Sequence, residues 1–581
     1  MNTLEEKKTN IKFDILAIVV IIILCFAIAP ITLQNDTYYT LKIGELITQN
    51  GVDMQDHFSW HEDLPYTYPH WAYDTGLYLI YHLGEMTGLA DGGMLFVYLS
   101  TILLACILGV LIYHTNKKLT KNSLISLFIT LAVIYLLKDF IAARAQLVSY
   151  IIFVLEILFI ENFLSTKKKR YLVGIVLLSI ALANIHVAVW PFFFVLFLPY
   201  IAEFILAWIA DKHILMKLSK WYIKHQRKSL EKKQEKLEHK QKEGYEKQIE
   251  KIKTQLVGLE QYAKEQEEKA EKIEKSSIKL REHPYKIKVE KNNAIKWLVL
   301  VMIICAFTGL LTPIGDTPYT YLIKTLQGNT TQSISEHIPL TLYNDKATMV
   351  VLALFLVILI FTDTKIKLRD LFMLAGLIFM AFMSRRQVSM LVLIGCFIFA
   401  KLMNNLAEKY DPDGCKRFAK LMTTIIGRIL TIALIGIIAL TLFKPKKNNH
   451  FINSASYPVE AADWILENLD IENIKLYNEY NYGSYLLFRG IPVFIDSRAD
   501  LYAPEFNGTK QEDGSYEGRD IFSDYINISS IGTYYEDKFE KYEITHVMVV
   551  NNAKLNMFLS RNDKYERIYK DDHFVIYERQ K

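Results

Sequence analysis

An acidic residue, Asp36, comes three residues after the first apolar stretch of the chain, residues 15–33, which is long enough to cross a bilayer. Apolar residues then recur with helical spacing and form one stripe, at Tyr39, Ile43, Leu46 and Ile47. Asn50 and Gly51 end this predicted helix. A carboxylate beside a helix on the membrane surface suits chemistry on a lipid-linked substrate. Asp is also among the best N-cap residues, so helix capping is the alternative, and both roles can hold together.

Three arginines lie where the charge rule for membrane proteins disfavours them. Lysine and arginine accumulate in cytoplasmic loops, yet Arg144, Arg385 and Arg386 fall near the opposite boundary on the topology derived below. A phosphate or pyrophosphate head group would explain them, since guanidinium pairs with phosphate in a bidentate way. The alternative is that they pair with Asp36, Glu336 or lipid phosphates and only tie helices together.

Long apolar stretches recur through the 581 residues, which are 51% hydrophobic. They exclude a soluble enzyme and predict an α-helical polytopic membrane protein with about eleven transmembrane helices. The predicted spans are residues 15–33, 92–114, 124–137, 147–164, 171–190, 191–210, 295–311, 347–361, 371–383, 388–403 and 422–443. Pro30 follows the apparent cleavage site of the first stretch, so we expect that stretch to be retained rather than removed as a signal peptide.

The loop charges orient these spans. Basic residues collect before the first span and in the loops after the second, fourth, eighth and tenth spans. With eleven alternating spans all of these loops fall on one side, which the positive-inside rule makes cytoplasmic. We therefore expect a protein of the cytoplasmic membrane with its amino terminus inside and everything after residue 443 outside.

A charged segment, residues 212–292, interrupts the spans. Its excess of lysine and arginine outweighs the net charge of +5 of the whole chain, so the remainder is net acidic and nothing suggests nucleic acid. Apolar residues in its second half follow a heptad pattern, and Gly244 separates two phases of that pattern. The segment predicts a cytoplasmic coiled-coil hairpin, which would be a docking arm for a cytoplasmic protein partner or a solvated spacer.

The residues from 448 to 581 predict a C-terminal α/β domain outside the membrane. Its predicted helices are 458–469, 484–488, 521–542 and 553–559, and its predicted strands are 474–477, 491–495, 546–550, 565–569 and 574–577. Asp496, Arg498 and Asp500 follow one strand end, where loops often carry function. The alternative, which we favour, is a polar seam between this domain and the membrane part. The predicted domains are thus 1–211, 212–292, 293–447 and 448–581. The five cysteines show no disulfide or metal framework.

Motifs in the first loop, residues 34–91, resemble the first outer loop of GT-C glycosyltransferases. They are Asp36-Thr-Tyr-Tyr-Thr-Leu-Lys-Ile-Gly-Glu45, Val52-Asp-Met-Gln-Asp56-His-Phe-Ser59 and His70-Trp71. More narrowly, the first loop resembles one bacterial branch of these enzymes. The outer C-terminal domain of that branch is resembled by two further motifs, Tyr480-Asn-Tyr-Gly-Ser-Tyr-Leu and Val493-Phe-Ile-Asp-Ser-Arg-Ala-Asp-Leu-Tyr502. That branch is related to protein mannosyltransferases and oligosaccharyltransferases.

The resemblance implies a transferase that takes sugars from polyprenyl-phosphate carriers, with an essential acid where Asp36 stands. Many members carry a paired acid there, but Asn35 and Thr37 flank Asp36. A divalent metal is therefore left open as a cofactor, and the sequence shows no set of residues that would bind it. The residues expected to bind the substrate are Arg144, Arg385, Arg386, His186, Glu336, Asp56 and His70. For a histidine such as His186, a satisfied hydrogen bond between helices is the alternative.

We therefore expect a glycosyltransferase that moves a sugar from a polyprenyl-phosphate carrier to an acceptor hydroxyl on an envelope glycan, a lipid or a protein. The alternatives are a transporter or flippase without enzymatic activity and a scaffold for envelope polysaccharide assembly. Transporters commonly show internal repeats and polar groups at the membrane midplane. This chain shows no repeat, and its polar residues cluster at one face, which favours the enzyme.

Overall fold

The computed structural model describes residues 2–209, 212–238, 245–282, 287–328, 338–341, 343, 345–362, 364–532 and 534–580. The chain divides into two compact units. The larger comprises Met1–Leu196, Leu300–Leu356 and Leu374–Lys581, and the smaller comprises Phe197–Val299 and Val357–Met373.

Helices dominate both units. Up to residue 282 they are α1 (Asn2–Ile28), α2 (Asn35–Asn50), α3 (Trp71–Glu85), α4 (Gly92–Thr120), α5 (Ser123–Leu136), α6 (Ala145–Thr166), α7 (Arg170–Ile185), α8 (Trp190–Val195), α9 (Leu198–Ile209), α10 (Lys212–Glu238) and α11 (Glu246–Glu282). Beyond that point they are α12 (Ile295–Ala306), α13 (Thr317–Gln327), α14 (Lys346–Phe361), α15 (Leu368–Met383), α16 (Val388–Tyr410), α17 (Gly414–Thr423), α18 (Ile425–Phe443), α19 (Val459–Asn468), α20 (Tyr480–Phe488), α21 (Pro504–Asn507), α22 (Ile521–Ser530), α23 (Tyr535–Lys541) and α24 (Lys554–Leu559).

Every apolar stretch predicted to span the membrane coincides with helical structure. Among the described residues, six helical segments are long and apolar enough to cross a membrane: Thr9–Ile28, Gly92–Thr120, Ala145–Thr166, Val187–Ile209, Arg385–Tyr410 and Ile425–Lys446. Shorter apolar helices lie at Ser123–Leu136, Arg170–Ile185, Ile295–Leu310 and Lys346–Phe361. The prediction of a mostly helical, multi-pass membrane protein is confirmed, whereas the number eleven and the orientation stay predictions.

The smaller unit contains the charged helices α10 and α11. Ion pairs join Lys220 to Glu267 at 3.8 Å and Arg227 to Glu260 at 3.5 Å. From Lys220 to Arg227 the position on α10 advances by seven residues, whereas the partner on α11 moves back by seven, from Glu267 to Glu260. The two helices therefore run antiparallel. Gly244, the expected turn, lies outside the described residues. The coiled-coil packing and the cytoplasmic location of this segment stay predictions.

Where α11 returns toward the apolar helices, a short parallel pair of strands is present. It joins β1 (Ile287–Lys288) to β2 (Ile366–Lys367). Beside it, the buried Arg369 lies 3.5 Å from Glu203 and 3.3 Å from Glu290. Since Glu203 is fully buried, this cation offsets the cost of sequestering its carboxylate.

The C-terminal region is a mixed α/β layer, as predicted. A four-stranded sheet has the order β3 (Leu476–Tyr477), β6 (His546–Val550), β8 (Phe574–Arg579) and β7 (Tyr565–Lys570). β3 runs parallel to β6, and the pairs β6–β8 and β8–β7 are antiparallel, so the last two predicted strands form a hairpin. A separate antiparallel pair joins β4 (Thr509–Lys510) to β5 (Tyr516–Glu517).

The predicted strand 491–495 is not part of that sheet, and this prediction is wrong. Val493 instead forms an isolated parallel bridge with Ser59 of the first loop. Its amide donates to the Phe58 carbonyl at 3.2 Å, and its carbonyl accepts from the Trp60 amide at 3.3 Å. The apolar run is buried between the sheet and the first loop, and burial on both sides gives the same pattern as a central strand.

The first loop and the C-terminal residues share one hydrophobic core. Tyr38 of α2 is fully buried, and its ring centroid lies 5.0 Å from that of Tyr457 and 5.2 Å from that of Tyr485. The Trp60 indole donates a hydrogen bond to the Leu476 carbonyl at 3.0 Å. The core holds α2 and α3 against the C-terminal region, and thereby sets the position of Asp36.

Candidate functional site

Asp36 lies in the first turn of α2, whose N-cap residue is Gln34, without a side-chain capping bond. The capping interpretation is therefore wrong by two positions, although an acid in the first turn still favours the helix dipole. Its carboxylate forms an ion pair with the guanidinium of Arg144, and both side chains are about a quarter exposed. Thr37 fastens the same turn by donating to the Ala143 carbonyl at 3.3 Å. The ion pair is one of the two arrangements expected for Arg144.

The three arginines of the sequence analysis come together at one cavity of about 670 Å³. Arg144 precedes α6, and Arg385 and Arg386 form the 3₁₀ turn before α16. The cavity is lined by Gln34, Tyr135, Leu136, Lys138, Asp139, Phe140, Ala142, Arg144, Gln146, Tyr343, Asp345, Lys346, Ala347, Thr348, Arg385, Arg386 and Val388. The lining combines five cationic and two acidic side chains with apolar ones, and this positive excess beside apolar surface suits an anionic head group attached to a lipid tail.

Two cations of this cavity, Lys138 and Lys346, were missed by the sequence analysis. Lys138 lies in a 3₁₀ turn just after α5, and Lys346 begins α14. Both occur at the ends of apolar stretches on the side that the predicted topology assigns to the outside. The same violation of the charge rule that singled out the arginines would have identified them.

His70 and His186 lie side by side near the arginines, with ring centroids 4.8 Å apart. The Nδ1 atom of His186 is 2.8 Å from the Ser149 hydroxyl, and the histidine is 2% exposed. This hydrogen bond agrees with the alternative interpretation of His186, a satisfied hydrogen bond between helices. Because the side chain is buried, a ligand would reach it only if the surrounding side chains moved. Burial, together with the positive charge of Arg386, lowers the pKa of His70 to about 4. His70 is therefore neutral at physiological pH.

Asp56, expected to bind substrate, is instead buried in a seam between the first loop and the C-terminal region. Arg498 Nη1 lies 2.6 Å from its Oδ1, and the Ser59 amide donates to its Oδ2 at 3.0 Å. Burial alone would raise the pKa of Asp56, but Arg498 and the Ser59 hydrogen bonds reverse this and hold the pKa below its usual value. Both oxygens have partners within the protein, which hold the first loop against the C-terminal region. Substrate binding by Asp56 stays a prediction.

Arg498 is the centre of this seam. Its guanidinium also bonds Asp496, with Nη2 at 2.7 Å from Oδ2, and the Tyr502 hydroxyl donates to the same carboxylate at 2.6 Å. Arg498 and its two acidic partners have almost no exposed side-chain surface. Two carboxylates surround one cation, and the hydrogen bonds from Ser59 and Tyr502 compensate the excess negative charge. The polar seam expected for Asp496 and Arg498 is thus present.

His61 makes this seam sensitive to acid. Burial lowers the pKa of His61 from 6.5 to about 4, although its Nε2 atom bonds the Phe494 carbonyl. A depressed pKa means that the folded state resists protonation, so stability is full above about pH 6.5 and falls as the pH drops toward 4. The loss approaches about 3 kcal/mol. Thermal unfolding of the detergent-solubilised protein between pH 7.5 and 4.5 should show this slope. His61→Gln should flatten it and the exposed control His82→Gln should not; an unchanged slope in His61→Gln would contradict the assignment.

Asp500 joins the site from the C-terminal region. It lies in the 3₁₀ turn Ala499–Tyr502, directly after the seam, and accepts a hydrogen bond from the hydroxyl of Tyr321 in α13. Asp500 was expected, with Asp496 and Arg498, in a polar seam between the C-terminal domain and the membrane part. Its hydrogen bond with Tyr321 is a contact of this kind, with a partner other than that of Asp496 and Arg498.

Two further expectations concern metal and Glu336. Among the described residues, no group of three or more histidine, cysteine, aspartate or glutamate side chains could hold a metal ion. The described residues therefore supply no ligand set for a divalent metal, and we derive no step through one. Glu336 lies outside the described residues.

Two solved structures of an archaeal oligosaccharyltransferase are similar in fold to this chain. The crystal structure of the Archaeoglobus fulgidus oligosaccharyltransferase in the apo form matches with a TM-score of 0.51 at 12% identity, over 92% of this chain and 69% of that chain. The oligosaccharyltransferase AglB from Archaeoglobus fulgidus, in complex with an inhibitory peptide and a dolichol-phosphate, matches with a TM-score of 0.51 at 12% identity, over 98% of this chain and 74% of that chain.

At this level of identity the similarity shows the fold alone, and the fold is GT-C-like. No protein-family model and no curated protein matches the sequence.

Proposed function

We propose that this protein is a GT-C-type glycosyltransferase, which moves a sugar from a polyprenyl-phosphate carrier to an acceptor hydroxyl outside the cytoplasmic membrane. One observation carries the proposal: Arg144, Arg385 and Arg386 line one cavity, and Arg144 also pairs with Asp36. These residues come from three separate parts of the chain. The GT-C-like fold and the dolichol-phosphate held by the similar AglB structure support the same assignment.

The cavity accounts for binding of the carrier. Guanidinium groups bind phosphate oxygens in pairs and stay charged throughout. The apolar part of the wall, which includes Leu136, Phe140 and Val388, would cover the first units of a polyprenyl chain. Arg144, Arg385 and Arg386 would hold the phosphate and stabilise the negative charge that develops on it as the sugar leaves.

Asp36 accounts for the other half of the reaction. The acceptor oxygen attacks the anomeric carbon and forms the new glycosidic bond, while the bond from that carbon to the phosphate oxygen breaks. The proton of the acceptor hydroxyl passes to the Asp36 carboxylate. Because Arg144 contacts Asp36 and also lines the cavity, one guanidinium would link the proton acceptor to the leaving group.

The remaining parts of the proposal concern topology and partners. The charges of the loops favour an amino terminus in the cytoplasm and a C-terminal domain outside. The helices α10 and α11 would then project into the cytoplasm, as a docking arm for a protein partner or as a spacer. Membrane lipid and the lipid-linked sugar are the other partners. No specific observation favours the transporter or scaffold alternatives over the enzyme.

Replacing the cavity arginines tests the proposal. Arg385→Gln or Arg386→Gln should raise the carrier concentration needed for half-maximal transfer about 10- to 100-fold, because each loses a charge-assisted hydrogen bond to phosphate. Arg144→Gln should do the same and also disturb Asp36. Transfer is measured in membranes at limiting carrier, with protein levels matched. Arg417→Gln is the control, since Arg417 pairs with Asp411 and is 72% exposed. If every cavity variant behaved like this control, these arginines would be structural pairs only.

A further inference from the structure

Asp500 differs from Asp36, Asp56 and Asp496 in the partners of its carboxyl group. Asp36 pairs with Arg144, and both Asp56 and Asp496 pair with Arg498. Asp500 accepts hydrogen bonds from the Tyr321 hydroxyl and from its own backbone amide, and within the described part of the chain no cation contacts it at ion-pair distance. Burial raises the pKa of Asp500, and Tyr321 and Arg386 only partly offset this. It is a carboxyl group whose hydrogen-bonding capacity is not exhausted by its protein partners.

Asp500 also belongs to the same site as Asp36. Tyr39, one turn after Asp36 on α2, is within electrostatic range of Asp36, Arg144 and Asp500. Tyr480, at the start of α20, is within range of the same three groups. Arg386, which lines the cavity, acts on Asp500 and on Tyr321. Hydrogen bonds connect the two regions: Asn35, next to Asp36, donates to the Tyr480 carbonyl at 3.1 Å, and the Tyr480 hydroxyl donates to the Ser497 carbonyl, just before the turn of Asp500, at 3.1 Å.

The backbone around Asp500 is held by buried neighbours, although the carboxyl group itself has few partners. The turn Ala499–Tyr502 follows the buried pair of Asp496 and Arg498, and Tyr502 at its other end is fully buried and bonded to Asp496. Rigid support around a partly exposed polar side chain is the arrangement expected of a ligand-binding residue. A residue with only a structural role would be expected to find a full set of partners, as Asp56 does.

We propose that Asp500 binds the acceptor, by accepting a hydrogen bond from a second hydroxyl next to the one that Asp36 activates. The inference rests on the proposed function. It defines the acceptor class as a neutral polyhydroxy compound such as a saccharide. A carboxylate without a contacting cation attracts hydroxyl donors and repels a phosphate or carboxylate on the acceptor. The C-terminal region thus supplies acceptor recognition, while the cavity supplies recognition of the carrier.

Acceptor binding by Asp500 can be tested by comparing two reactions of the same site, transfer of the sugar to the acceptor and transfer of the sugar to water. Native membranes containing the full chain receive labelled lipid-linked sugar extracted from the same cells, and both transfer to the endogenous acceptor and release of free sugar to water are measured. Asp500→Ala should lower transfer about 10- to 100-fold, the worth of a hydrogen bond to a charged group, and should lower hydrolysis at most a few-fold. Asp36→Asn should lower both reactions together. Asp513→Asn, an exposed aspartate in a turn, is the control.

The outcomes are distinct. Equal losses of transfer and hydrolysis in Asp500→Ala, or transfer at the wild-type rate, would overturn acceptor binding by Asp500 and leave the glycosyltransferase intact. Absence of both reactions in the wild-type membranes would overturn the proposed function, and this inference with it. Should Asp500→Ala fail to accumulate, the nearly isosteric Asp500→Asn replaces it. Asp500→Glu should recover part of the transfer if a carboxylate is what the acceptor requires, and no recovery would count against the proposal.

Discussion

Asp36→Asn is expected to lower sugar transfer about 10²–10⁴-fold, the usual cost of losing a general base. The amide has almost the size of the carboxylate but cannot take up the proton of the acceptor hydroxyl. Folding should change little, because the lost ion pair with Arg144 is partly exposed, and such pairs contribute at most about 1 kcal/mol. Transfer from lipid-linked sugar is compared in membranes matched for protein level.

Asp53→Asn provides the matched control for this variant. Asp53 lies in the same first loop and bonds His57 and Tyr68, but it does not line the cavity. Its replacement should leave transfer near the wild-type rate. A folded Asp36→Asn protein with unchanged transfer would remove Asp36 from the mechanism and most of the case for an enzyme. A metal-dependence assay separates loss of a base from loss of a metal ligand, since both would lower the rate.

Arg498→Met is expected to destabilise the protein by about 3–5 kcal/mol, because it leaves Asp56 and Asp496 buried without a cation. Arg489→Met is its control in the same domain. Arg489 pairs with Asp463, whose side chain is 54% exposed, and loss of such a pair costs at most about 1 kcal/mol. Thermal unfolding in detergent and limited proteolysis of the first loop report the difference, with Arg498→Met unfolding earlier and being cleaved faster.

A compensating variant shows whether the stability lost in Arg498→Met arises from buried carboxylates that have no cation beside them. Adding Asp56→Asn and Asp496→Asn to Arg498→Met removes both uncompensated carboxylates, so a large part of the lost stability should return. If Arg498→Met were as stable as Arg489→Met, the seam would not be what holds the first loop on the C-terminal region. Since the seam also precedes Asp500, a destabilised seam should reduce transfer as well.

Several features followed from the sequence because they depend on local composition. Each predicted span coincides with helical structure, since a helix satisfies the backbone groups of a long apolar run within the run itself. Asn50 and Gly51 ended α2 as expected: Gly51 has a positive φ of 80°, and its amide bonds the Ile47 carbonyl at 2.9 Å. The three arginines could be grouped from the charge rule alone, and the structure places them around one cavity.

Other features were decided by partners distant in sequence. Asp56 and Asp500 are both acids in motifs of the same resemblance, yet one pairs with Arg498 and the other accepts a hydrogen bond from Tyr321. The residues 491–495 have the composition of a strand, but they pair with the first loop instead of the sheet. In each case the deciding partner lies more than 150 residues away in the chain.

The sequence by itself thus determined the class of this protein: a multi-pass helical chain with an acid and several arginines near the ends of apolar stretches and an α/β region in its C-terminal part. Hydrophobicity, charge and turn residues act over a few residues, so their pattern is legible without a fold. Only the tertiary structure decided which carboxylate pairs with which cation. Ion pairing depends on distance and burial, and both are set by the core that the first loop shares with the C-terminal region.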